Sequence, residues 1–84
     1  MERNLIEEKV REIVIDRMDG DEAEMGPDTR FKEDLFLDSL DEVEVIMDAE
    51  KSFDITINDE ETARIKTVGQ LCDTVEKLLD MKNK

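Results

Sequence analysis

The sequence predicts an all-α bundle. Three observations carry that prediction: apolar residues recur at helical spacing in three stretches, capping signatures precede those stretches, and no segment has a credible strand partner. The run Phe53-Asp-Ile-Thr-Ile57 alternates as a strand would, but a lone strand has nothing to pair with. The 84 residues suffice for one domain, and a chain of this length buries only roughly 60% of its unfolded surface, so a roomy catalytic cleft is not expected.

The first helix is read from residues 5–18. Leu5, Ile6, Val10, Ile13, Val14 and Met18 follow the i, i+3, i+4 rule, and Asn4 with Glu7 forms a candidate capping box. Gly20 and the Gly26-Pro27 pair then break the pattern. The connection to the next helix is about 20 residues, long for a compact domain, and Phe31 and Leu35 are the side chains expected to fold it back onto the core. Its segment Asp19-Gly-Asp-Glu-Ala-Glu24 lacks the acidic spacing of a calcium loop and reads as a solvated turn.

The second helix spans residues 39–52, beginning at Asp38 or Ser39. Ser39-x-x-Glu42 fits a capping box, and Asp38, Asp41 and Glu42 put negative charge where the helix dipole favours it. A short acidic helix follows over 59–65, capped by Asn58. Thr67-x-x-Gln70 opens the last helix, 68–80, whose apolar stripe is Val68, Leu71, Cys72, Val75, Leu78 and Leu79; Lys77, Lys82 and Lys84 lie near its end.

Composition limits the partners. There are 25 acidic and 12 basic residues, a net charge of −13, and no histidine, tryptophan or tyrosine. Such a surface repels nucleic acid and anionic lipid, and selects basic protein patches or cations. The single cysteine, Cys72, permits neither an internal disulfide nor a metal-binding cysteine pair and reads as a small buried residue. No metal site and no catalytic residue is expected. The absence of a signal-like or membrane-length apolar run predicts a soluble, cytoplasmic protein, expected as a monomer.

At 100° per residue from Ser39, the second helix divides into three faces. Val45, Ile46, Ala49 and Phe53 fall in one arc of roughly 100° that suits a core. Leu40, Val43 and Met47 form a second apolar arc, bordered by Asp41, Glu44 and Asp48. Together the two arcs exceed what one helix of a small bundle buries, so the second is expected to meet a partner, steered by the acidic rail.

Ser39 stands at the head of this surface. It cannot be an autonomous nucleophile, because the chain has no histidine to serve as its base and Lys51 lies several turns away. Three readings stay open on spacing alone: a helix N-cap, a phosphorylation site in an acidic adaptor, or a hydroxyl receiving a phosphate-containing group where amide donors and the dipole favour an anion.

The run Asp34-Leu-Phe-Leu-Asp-Ser-Leu-Asp41, continued by Val43-Glu44, Met47, Glu50, Phe53, Ile57, Asp59-Glu60-Glu61, Ile65 and Thr67-Val68, resembles the acyl carrier proteins over nearly the whole chain. The resemblance implies one four-helix acyl-carrier domain over residues 1–84, with 4′-phosphopantetheine attached to Ser39 of the Asp-Ser-Leu motif. It implies that Asp38, Leu40, Asp41, Glu42, Val43, Glu44, Met47, Asp48 and Glu50 face partner enzymes. Those partners would be a holo-acyl-carrier-protein synthase, which uses coenzyme A and magnesium, and acyl-processing enzymes with basic patches. The arm's thiol would carry acyl groups as thioesters for fatty-acid or related synthesis; a D-alanyl or peptidyl carrier is the nearest alternative.

Three positions depart from the family pattern. Phe36-Leu37 stands where Gly-Ala is common, Ala49 where a larger aliphatic residue is common, and Lys32 where an apolar one is. Phe36 is expected to resist a positive φ and to send the loop along another path. The space beside Ala49 is expected to be filled by Phe36 or Leu37, or to remain as acyl-chain volume.

Overall fold

The computed structural model describes residues 2–18 and 25–82; the Asp19–Glu24 segment, expected from sequence as a solvated turn, and Lys84 lie outside the described residues. Four helices run in the order α1 (Arg3–Arg17), α2 (Ser39–Phe53), α3 (Asp59–Arg64) and α4 (Val68–Lys82), with no strand among the described residues. The three long helices pack against one another around a single apolar core.

Helix α1 starts earlier than its sequence signals indicate, and by a different device. Its N-cap is Glu2, which makes no side-chain capping bond, so the Asn4–Glu7 box is not formed and Asn4 lies inside the helix. Glu7 is instead taken by Arg3, whose Nε donates to Glu7 Oε2 at 2.9 Å. Arg3 also pairs with Asp73 at 2.8 Å and Glu76 at 3.5 Å, fastening the start of α1 to α4. Glu7 first, and then Asp73, hold its guanidinium above its ordinary pKa. Ile6, Val10, Ile13 and Val14 are buried, whereas Leu5, expected on the same stripe, is exposed.

Helix α2 buries the predicted core arc, Val45, Ile46, Ala49 and Phe53. It ends at Asp54, which adopts the left-handed region with φ 52°, a conformation aspartate tolerates better than most residues. Lys82, in the last turn of α4, donates to both the Asp54 backbone oxygen, at 2.8 Å, and its carboxylate, at 2.6 Å. That ammonium holds the Asp54 carboxyl below the usual carboxylate range.

Helix α3 buries none of its own residues. Asn58 Oδ1 accepts from Glu61 N–H at 2.8 Å, as expected for the cap, and the flanking Ile57 and Ile65 provide the anchorage. The α4 capping box is formed as read: Gln70 N–H donates to Thr67 Oγ1 and Thr67 N–H to Gln70 Oε1, each at 3.1 Å. Val68, Leu71, Cys72 and Val75 are buried. Desolvation pushes the Cys72 thiol up to about 11, so it carries no thiolate at neutral pH and acts as a small apolar residue.

The described part of the α1–α2 connection is stitched to the junction of α3 and α4. Val68 N–H donates to Thr29 O at 2.9 Å, Phe31 N–H to Lys66 O at 3.1 Å, and Gly69 N–H to Pro27 O at 3.0 Å. Phe31 and Leu35 are buried, as expected of anchors, and Leu37 joins them.

Ala49 is fully buried, and Phe36 points away from the core, so Phe36 does not fill the space beside it; Leu37 belongs to the same core cluster. Ala49→Leu is expected to cost about 1 to 3 kcal/mol by overpacking, read as a lowered urea midpoint at unchanged slope.

Candidate functional site

The start of α2 is built by the loop before it. Leu35 and Leu37 both enter the core, and the chain kinks at the exposed residue between them. Phe36 makes that kink with φ 58°, in the left-handed region. The expectation that a bulky residue would refuse this backbone is therefore overturned. The conformation costs about 1 to 2 kcal/mol, while burying each of the two flanking leucines stabilises by about 1.5 to 3. Leu37 N–H also donates to Phe31 O at 2.9 Å, which holds the kink closed.

Upstream, Asp34 clamps the turn: Arg30 N–H donates to Asp34 Oδ2 at 2.8 Å and the Arg30 guanidinium reaches the same carboxylate. The backbone donor, then the guanidinium, lower the Asp34 carboxyl from its ordinary pKa.

The helix cap falls on Asp38, not on Ser39. Asp38 Oδ1 accepts from Asp41 N–H at 2.8 Å, and Asp41 Oδ2 accepts in return from Asp38 N–H at 3.4 Å. The Ser39–Glu42 capping box is not formed; Glu42 N–H bonds to Asp38 O at 3.0 Å within the first turn. The capping role that spacing offered to the serine is thereby taken by its neighbour. Ser39 is exposed, and neither its hydroxyl nor the N–H groups of Ser39 and Leu40 bond to another described residue. What remains is an unencumbered primary hydroxyl beside free amide donors at the positive end of a helix.

Beyond the serine, the second apolar arc is open. Leu40 is 66% exposed, Val43 45% and Met47 47%. Asp41 is partly exposed and flanks this strip.

Glu44 and Asp48 complete the rail, but α1 modifies it: Arg17 pairs with Glu44 and, at 3.5 Å, with Asp48. Arg17, Glu44, Met47, Asp48 and Lys51 line a shallow concavity of about 210 Å³. Spacing within α2 contains no trace of Arg17, which belongs to a different helix; its place as the last residue of α1 is the only signal.

Two of the residues expected to face partners are turned elsewhere. The Glu42 side chain is only 11% exposed and lies 3.8 Å from the Lys32 ammonium, as its position on the core side of the helical wheel requires. Glu50 Oε2 accepts from Ile57 N–H at 2.9 Å and so ties α2 to the loop before α3. The structure thus gathers Asp38, Ser39, Leu40, Asp41, Val43, Glu44, Met47 and Asp48 along one side of α2, while Glu42 and Glu50 serve the fold.

The chain is similar to known proteins over nearly its whole length. Residues 8–75 match the family model described as "Phosphopantetheine attachment site". An acyl carrier protein of Rubrobacter xylanophilus is 47% identical over 75 residues, covering 89% of this chain and 93% of the relative. One from Akkermansia muciniphila is 41% identical over 78 residues, covering 93% and 98%. Among solved structures, the crystal structure of an acyl carrier protein from Thermotoga maritima matches with a TM-score of 0.84 at 35% identity, covering 98% of this chain and 95% of its own. The solution structure of a holo acyl carrier protein from Geobacter metallireducens matches at 0.79 with 26% identity, covering 90% and 87%.

Proposed function

The chain belongs to the acyl carrier protein family, and from that membership we propose that it carries acyl intermediates on a 4′-phosphopantetheine arm attached to Ser39. The observation that carries the assignment of the serine is the cap: because Asp38 closes the helix, the Ser39 hydroxyl is exposed and free to be esterified. When bound, the arm supplies a terminal thiol that holds acyl groups as thioesters.

The residues present fit such a group. An arm joined through a phosphate is anionic, and the free N–H groups of Ser39 and Leu40 at the helix start are the donors that would hold it. Asp38 and Asp41 oppose the added charge, and one carboxylate oxygen of each is occupied by the other's backbone N–H.

This chain contributes position and address rather than chemistry. The Ser39 proton must leave as the Oγ–phosphorus bond forms and the phosphoanhydride bond to the nucleotide part of coenzyme A breaks; this chain has no histidine to take that proton, and the neighbouring Asp38 carboxylate is engaged by Asp41 N–H. A separate holo-synthase therefore supplies the base, and acyl-processing enzymes act on the thioester. Both are met as basic surfaces, since the open strip of Leu40, Val43 and Met47 is edged by acids on a molecule of charge −13. The protein is not itself an enzyme on this reading, and fatty-acid synthesis is the role that suits the relatives' name.

Intact mass after incubation with coenzyme A and a promiscuous holo-synthase tests the assignment. The expected result is a gain of about 340 Da on the wild-type chain and none on Ser39→Ala. A gain that survives in the variant would move the attachment elsewhere, and a gain of only about 80 Da on protein from its native source would indicate a phosphosite instead.

A further inference from the structure

Among the described residues Phe36 is the most exposed of the large apolar side chains, and the fold itself does not explain its presence. Its backbone sits at φ 58°, where any residue with a Cβ is strained and glycine is not. Its ring is 87% exposed, so it gains almost nothing from burial. The kink needs a residue at this position, and Leu35 and Leu37 do the packing on either side; neither requirement calls for an aromatic ring. A strained, solvent-facing phenylalanine three residues before the candidate attachment serine points outward to a partner.

We infer that Phe36 is a specificity-determining contact for the enzyme that installs the arm, inserting into an apolar recess on that enzyme's basic face beside the Ser39 hydroxyl. This rests on the reading of Ser39 given above. The choice of partner follows from distance. Enzymes that act on a thiol at the end of a long arm can work away from Ser39, whereas the transferase must bring its reacting phosphorus to bonding distance of the Ser39 oxygen. Three residues of chain span at most about 11 Å, so Phe36 lies within that reach of the serine.

A standard interface of about 800 Å² on each partner, taken as a disc, has a radius of roughly 16 Å. Phe36 falls inside that radius of Ser39, so an enzyme centred on the serine comes within reach of the ring.

Charge selects the same kind of surface. The exposed ring lies two residues before Asp38 of the Asp38–Asp41 pair, so an apolar anchor and an acidic rim are close together in the chain. A recess lined by apolar groups and rimmed by lysine or arginine complements both.

Steady-state transfer from coenzyme A to the full-length apo protein, catalysed by the holo-synthase of its own source organism, tests this, with wild type, Phe36→Gly and Phe36→Tyr compared. Phe36→Gly is expected to raise KM for the carrier on the order of tenfold with kcat within about twofold, while Phe36→Tyr restores KM. Its melting temperature is expected not to fall, because glycine relieves the left-handed strain; that separates lost recognition from lost folding. An unchanged KM in Phe36→Gly, with Ser39 still loaded, overturns the role of Phe36 and leaves the carrier assignment standing. Failure of the wild type to be loaded at any concentration overturns both.

Discussion

Phe31→Ala is expected to lower the stability of this protein by about 3 to 5 kcal/mol, the largest loss from any single core truncation here. Phe31 is almost wholly buried and is the bulkiest of the fully buried side chains. A domain of this length has a total stability of roughly 4 to 13 kcal/mol, so the variant forfeits about a quarter of it or more. The cost extends beyond the cavity. Phe31 anchors the connection that delivers Asp38 and Ser39 to the head of α2, and its backbone both donates to Lys66 O and accepts from Leu37 N–H. Urea unfolding should show the midpoint falling at an unchanged slope, and hydrogen exchange at Leu37 should accelerate beyond the global change.

Gly69→Ala is expected to destabilise by about 2 to 4 kcal/mol, against the usual direction for a glycine inside a helix, where alanine gains about 1 kcal/mol. The reason is a close approach. A Cβ on residue 69 would lie 2.5 Å from the Pro27 backbone oxygen and 3.0 Å from both its Cα and Cβ. Backbone atoms cannot swing aside as a side-chain tip can, so the Pro27 segment must lift off α4. The bond from Gly69 N–H to Pro27 O, 3.0 Å long, then opens in a buried setting. A lower melting temperature for the alanine variant would verify this; equal or greater stability would mean that the loop can retreat without loss.

Much of the architecture was legible because it depends on local spacing. The α2 core arc, the open arc of Leu40, Val43 and Met47, the Asn58 cap and the Thr67–Gln70 box all follow from side chains a few residues apart on one helix, where geometry is fixed by the 3.6-residue period. The burial of Phe31 and Leu35 was legible for a similar reason, since a long connection in a small domain must be tied down by its apolar residues.

The two capping misreadings share one cause. At the heads of α1 and α2 more than one residue could cap, and local rules rank the candidates without choosing among them. Asn4–Glu7 lost because Arg3 claims Glu7 while reaching across to Asp73 and Glu76 on α4. Ser39–Glu42 lost because the kink at Phe36 and the burial of Leu37 bring the chain to α2 with Asp38 in the extended conformation a cap requires.

By itself, then, the sequence determined the helical class, the acidic character, the two-faced second helix and the resemblance that singles out Ser39. Only the tertiary structure decided that the serine hydroxyl is free of capping, that Arg17 covers part of the acidic rail, that Glu42 and Glu50 serve the fold, and that Phe36 faces solvent in a left-handed conformation. The physical reason is range. Helical periodicity and capping act over one or two turns, whereas the partner of a charge and the strain a loop tolerates are set by groups that meet only once the chain has closed on itself.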